Sequence, residues 1–149
     1  PYADYPFWLI ANQPATRFHM QLDFGDYSLC GKRDGREVCS LNLDDAASLG
    51  IQDGEIIELY NKRGHVLASA RVTDTVMPGV VQLPTGAWYD PVDPTALRPL
   101  CRHGNPNVLT LDIGTSSLTQ GCSGQITVVQ VRKYAGELTP VQAFIPPQS

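Results

Sequence analysis

Short apolar runs alternate with Gly, Pro and Asn breaks along most of the chain, and the runs have the length of strands rather than helices. Tyr5 to Ala11, YPFWLIA, lies between Pro6 and Asn12-Gln13-Pro14 and predicts a buried strand. Next comes NQPATRFHMQLDFG, where Pro14 bars a helix and Thr16, Arg17, His19 and Gln21 alternate with bulkier neighbours. In Val38 to Tyr60, Asn42 or Asp44 can cap a short helix, Asp45 suits its positive end, and Gly50 supplies a left-handed stop. The helix predicted runs from about Asp44 to Leu49.

IIELYNKRGHVLASARVTD then predicts a hairpin turning at Asn61 to Gly64, with Val66, Ala68, Ala70 and Val72 on one face, and VVQLP adds a third strand to this group. GAWYDPVDPTALRPL reads as a rigid irregular loop in which Trp88 either stacks on a planar ligand or anchors the packing. ITVVQVRKY gives a final strand, and the tail from Ala135 is expected to be extended. Closely spaced strands with Gly and Pro turns predict a mainly β fold, closed or nearly closed, with one or a few short helices.

The stretch Cys101 to Gln125 breaks this pattern. Of its 25 residues, four are Gly and ten carry a neutral hydroxyl or amide, while only Arg102 and Asp112 bear a full charge. Such a run packs a core poorly but lets backbone approach a polar ligand and read it by hydrogen bonds. A long solvated surface loop has the same composition. The segment after the first strand is a second polar candidate: Arg17 is a fork donor matched to phosphate and His19 adds another donor, or both decorate an exposed strand.

At 149 residues and 16.3 kDa the chain predicts one domain over 1–149. Folding buries roughly 68–70% of the unfolded surface of a chain this size without staples. A net charge of −4 offers no polycationic surface, so nucleic acid is not an expected partner. No run approaches 18 apolar residues and the N-terminus has no basic leader, so no membrane insertion is expected; the opening Pro1 predicts a piece of something longer. Cys30, Cys39, Cys101 and Cys122 lack the close pairing of a zinc knuckle, so no metal ligands are expected. Cys30 and Cys39 bracket a turn that fits a small disulfide loop, although a domain of this size needs none, which favours free thiols. The three His and scattered Ser form no nucleophile elbow, and no catalytic residues are read.

Taken in order, NQPATRFHMQLD, DAASLGIQDGEIIELYNKRG, PGVVQLPTGAWYDP and HGNPNVLTLDIGTSSLTQG resemble the C-terminal domain of the molybdenum-containing dimethyl sulfoxide (DMSO), trimethylamine N-oxide and biotin sulfoxide reductases. The second segment is shared across molybdopterin oxidoreductases. GAWYDP and HGNPNVLTLDIGTS belong to the S- and N-oxide reductase branch. The resemblance implies a double-psi β-barrel that binds the dinucleotide part of bis(molybdopterin guanine dinucleotide), with molybdenum, beside the remaining domains of a larger reductase. It implies contacts to the cofactor from Gln13, Thr16, Arg17, His19 and Gln21 in the first loop and from Asn107, Gly124 and Gln125 later in the chain. Met20 stands where members of the family commonly carry Ser, and the metal's protein ligand is implied to lie in another domain. The competing readings are a stand-alone double-psi barrel acting as a small enzyme or adaptor, and a carbohydrate-binding β domain that would use Trp88 and Tyr89.

Overall fold

The computed structural model describes residues 3–118, 121 and 126–146. In β1 (Phe7–Ile10), Phe7 and Leu9 are buried while Trp8 and Ile10 face out, the period of a strand with one face in a core. A single helical turn, α1 (Asp26–Leu29), follows a long loop, and β2 (Val38–Asn42) runs directly into α2 (Leu43–Leu49). Then come β3 (Ile56–Tyr60), β4 (His65–Thr73), β5 (Val80–Gln82), the short β6 (Leu100–Cys101), a 3-10 turn at Pro106–Val108, and β7 (Thr127–Lys133).

The predicted helix forms where its caps lie. Asn42 is the cap, its side-chain oxygen accepting the Asp44 N–H at 2.9 Å, while its amide donates to the Val76 carbonyl at 2.7 Å. Gly50 ends the helix at φ 67, and Asp45 accepts the Gly79 N–H at 2.7 Å. The hairpin also forms, with Ile57 opposite Ala68 and Tyr60 opposite His65. Asn61 braces its turn by accepting the Arg63 N–H at 2.9 Å and donating to the Leu109 carbonyl at 2.9 Å.

The strands close on themselves. β1 pairs antiparallel with β7 and parallel with β5. β7 pairs with β3, β3 with β4, and β4 runs parallel to β2, which pairs antiparallel with β5 and so returns to β1. The result is a closed six-stranded barrel with no free edge among those six, and its two parallel pairs give the double-psi connectivity. Val80–Gln82 does not join the hairpin as a third strand: β3 spends its open edge on β7 and β4 on β2, so β5 lies between β1 and β2. Leu9, Leu41, Ile57, Leu59, Val81 and Val129 fill the interior with no exposed surface. Alternation captured half of β4, because Leu67 and Ser69 on its other face are buried as well. Among the described residues, no helix is long and apolar enough to cross a membrane.

Candidate functional site

Topology brings three distant segments to one end of the barrel. Because β1 and β5 are parallel, the chains leaving Ile10 and Gln82 emerge together, tied by the Leu83 N–H to the Ile10 carbonyl at 3.0 Å and the Thr85 N–H to the Asn12 carbonyl at 2.9 Å. β2 is antiparallel to β5 and therefore starts at this end. β6 lies in line with β2 along the same edge of β4, so the chain leaving it meets the start of β2, where the Glu37 N–H donates to the His103 carbonyl at 3.0 Å.

Between these segments lies a cleft of about 290 Å³, lined by His19, Met20, Thr85, Gly86, Ala87, Asn105 and Asn107. His19 has a left-handed backbone at φ 54 and an exposed ring. Gly86, at φ 94, lies against it so closely that a Cβ there would overlap the His19 carbonyl oxygen. On the third wall Asn105 accepts the Asn107 N–H at 2.9 Å and Pro106 opens the 3-10 turn, which leaves the Asn107 side chain exposed. The cleft thus offers an imidazole, side-chain amides and close-set backbone.

The expected site residues divide among three places. His19 and Asn107 share this cleft, although 88 positions separate them in the chain. Thr16, Arg17 and Gln21 line a neighbouring hollow of about 370 Å³ with Phe18, Leu22 and Tyr27. Gln13 lines neither; its side-chain amide donates to the Arg17 carbonyl at 2.9 Å and braces the loop. Gly124 and Gln125 lie outside the described residues.

The Arg17 fork points inward. It reaches Glu37 at 2.6 Å, the Thr85 carbonyl at 2.6 Å, Ser28 at 3.3 Å and Asp23 at 3.4 Å. Lys32 joins the same cluster, 2.8 Å from Asp23 and 3.2 Å from Glu37. Burial by itself would raise the Asp23 pKa, but the Lys32 hydrogen bond, the Trp88 N–H and Arg17 together hold it below the usual carboxylate range. His103 is fully buried; burial and the Lys32 charge push its pKa down, so it stays neutral. Its Nδ1 faces the Trp88 carbonyl at 2.8 Å, and its Nε2 has no hydrogen-bond partner among the described residues.

Trp88 is a packing anchor. Its ring meets Phe24 and Phe144 edge-on, and its indole N–H donates to the Met20 carbonyl at 2.9 Å. That bond fixes the backbone at Met20 while its side chain stays exposed. Cys30 and Cys39 are both unpaired, Cys30 at the surface and Cys39 in the core. Sequence reasoning missed Thr85 and Gly86 as cleft residues, although GAWYDP marked the segment. It also missed Asp23, Lys32 and Glu37, whose charges carried no local signal of burial.

At one end of a closed barrel, then, side-chain amides, an imidazole and close-set backbone from three distant segments surround one cleft. The chain belongs to the family described as the molydopterin dinucleotide binding domain, whose model matches residues 7–128. It is 42% identical over 146 residues to a dimethyl sulfoxide/trimethylamine N-oxide reductase of Cereibacter sphaeroides, covering 98% of this chain and 18% of that protein. It is 48% identical over 129 residues to a biotin sulfoxide reductase of the same organism, covering 87% of this chain and 17% of that one. Trimethylamine-N-oxide reductase 1 of Escherichia coli K12 is 42% identical over 142 residues, 92% of this chain and 16% of the relative. The chain therefore spans less than a fifth of these relatives' length. Acetylene hydratase from Pelobacter acetylenicus shares the fold, at a TM-score of 0.66 and 18% identity over 87% of this chain and 18% of that one.

Proposed function

We propose that this chain is the C-terminal domain of a molybdenum S- or N-oxide reductase and holds the nucleotide end of its bis(molybdopterin guanine dinucleotide) at the cleft between His19, Gly86 and Asn107. The observation carrying the proposal is the convergence of the first loop, the Gly86 turn and the Asn105–Asn107 turn at one barrel end. The donors fit the group. Guanine and pterin edges and a diphosphate call for amides, an imidazole and backbone N–H groups rather than a nucleophile. A cradle that a Cβ at Gly86 would fill suits close backbone approach.

A cleft of about 290 Å³ accepts part of a dinucleotide, which fits a cofactor held between this domain and others. When bound, the cofactor supplies a molybdenum centre for oxygen-atom transfer. This chain's residues bind and orient it: Asn107 and Gln21 present exposed amides, His19 its ring, and Thr16 a hydroxyl, while Gln13 and Arg17 act by holding the loop. Gly124 and Gln125 complete the set by their motif position.

Asn107→Ala and Gln125→Ala in the full-length reductase test the assignment. Each is expected to weaken cofactor retention by roughly 1–3 kcal/mol, the cost of leaving a ligand group buried without its partner. Unchanged molybdenum and guanine content in both variants removes these residues from the site.

A further inference from the structure

We infer that the buried quartet of Arg17, Asp23, Lys32 and Glu37 is a positioning device that locks all three walls of the cleft into one geometry. This inference rests on the proposed cofactor role. The four side chains are 1%, 0%, 1% and 4% exposed, and their two positive and two negative charges balance. Well-packed apolar groups of similar volume generally stabilise a fold as much as a buried ion cluster does, so stability alone gives little reason for one here. Directional bonds to particular partners are what the cluster adds.

Those partners lie on every wall. Arg17 belongs to the first loop, and one of its nitrogens, Nη2, serves both the Thr85 carbonyl at the entrance to the Gly86 turn and the Glu37 carboxylate, each at 2.6 Å. Glu37 fixes the third wall through its backbone, whose N–H holds the His103 carbonyl at 3.0 Å and whose carbonyl accepts the Ser69 N–H of β4 at 2.9 Å. Gly104, at φ 103, packs against the Glu37 Cβ with no room for a side chain. Asp23 repeats the pattern: it takes Lys32 at 2.8 Å, Ser28 at 3.0 Å and the Trp88 N–H at 2.9 Å, while His103 takes the Trp88 carbonyl at 2.8 Å. A movement of any one wall strains bonds to the other two. Arg17 thus serves the cofactor by aiming His19 and Asn107, and Glu37, immediately before β2, is the post to which the first loop is tied.

The test uses the full-length reductase carrying this chain, with the double variant Arg17→Met/Glu37→Met and the single variant Arg17→Lys. The double variant removes one charge of each sign and leaves Lys32 paired with Asp23, so the barrel is expected to stay folded. Arg17→Lys keeps the charge and loses the fork. Amide hydrogen exchange of the apoprotein should speed up about tenfold or more in both 13–21 and 103–107 in the double variant, with β3, β4 and β7 unchanged. Cofactor loss during gel filtration, followed as molybdenum and guanine, should quicken about 10- to 100-fold in both variants, the range typical of removing an outer-shell partner. Loosening confined to 13–21, or wild-type retention in the double variant, overturns the inference. Wild-type retention in Arg17→Lys also overturns it, since charge alone would then suffice. Wild-type protein with no guanine nucleotide would instead sink the cofactor reading, leaving the exchange experiment to judge the coupling of the loops.

Discussion

Gly86 lies against the backbone carbonyl of His19 with no space between them for a side chain. The contact joins segments that are 67 positions apart, and it is made at a backbone angle of φ 94 that L residues rarely adopt. Gly79 has a similar angle, φ 78, but no atom of the described residues lies within 4 Å of its would-be Cβ. Gly79→Ala therefore bears backbone strain alone, about 1–3 kcal/mol. Gly86→Ala bears comparable strain plus an overlap that pushes the first loop away. Denaturant midpoints should show the larger loss for Gly86→Ala, and equal losses would contradict the close contact.

What was legible in the sequence was what local chemistry decides. Asn42 and Gly50 mark the ends of α2 because a cap bond and a left-handed angle involve neighbours only. The β3–β4 hairpin is local in the same way. β2 was missed: it carries Cys39, Ser40 and Asn42 and shows no alternation, since all five of its residues are buried between its neighbours β4 and β5. Arg17 reads as a free phosphate fork until the barrel closes and brings up Glu37, 20 residues on, and Lys32. The meeting of His19 with Asn107 likewise depends on β1 and β5 running parallel and on β6 abutting β2. No hydrophobic period encodes those pairings, and the motif resemblance was the signal for this part of the site.

The cysteines should differ sharply in reactivity. Cys30 is exposed, whereas burial pushes the Cys39 thiol up to about 12, and Cys101 has no exposed surface. A thiolate-seeking reagent at neutral pH should modify Cys30 quickly in the native protein and reach Cys39 and Cys101 only on unfolding. Peptide mass mapping reads the outcome, and rapid native labelling of Cys39 would contradict its place in the core.

Acid should destabilise the fold in two stages. His103 lies below its ordinary 6.5, through burial and the Lys32 charge. Glu58 lies below 4.5: burial opposes the shift, but hydrogen bonds from Arg132 and His65 outweigh it, and Asp23 lies below 3.8. In each case the unfolded chain binds protons that the folded one refuses, so the stability is present above the unfolded pKa and is lost as pH falls toward the folded one. Melting temperature should decline gently below about pH 6.5 and more steeply below about 4.5, with Glu58→Gln flattening only the second stage. A melting temperature that holds or rises from pH 7 to 3 would contradict the assignment of these groups.

The chain by itself should show no reductase activity. Oxygen-atom transfer requires a metal centre and a substrate funnel, and the role proposed for this chain is the nucleotide side of such an assembly. One side of a shared site must still immobilise the whole ligand, at a cost on the order of 4–15 kcal/mol, so affinity should fall more than the number of contacts does. Assay with reduced viologen dye and DMSO, trimethylamine N-oxide or biotin sulfoxide checks this. Turnover proportional to the purified polypeptide, free of contaminating enzyme, would favour a complete small enzyme.

The claim that this barrel holds the guanine end of a molybdenum cofactor is tested most directly by the composition of the full-length protein purified from its native host. Metal analysis and acid release of nucleotide should find molybdenum together with GMP in a chain several-fold longer than this one, and both should be depleted together in Asn107→Ala. A folded, active protein containing neither molybdenum nor guanine nucleotide would contradict it.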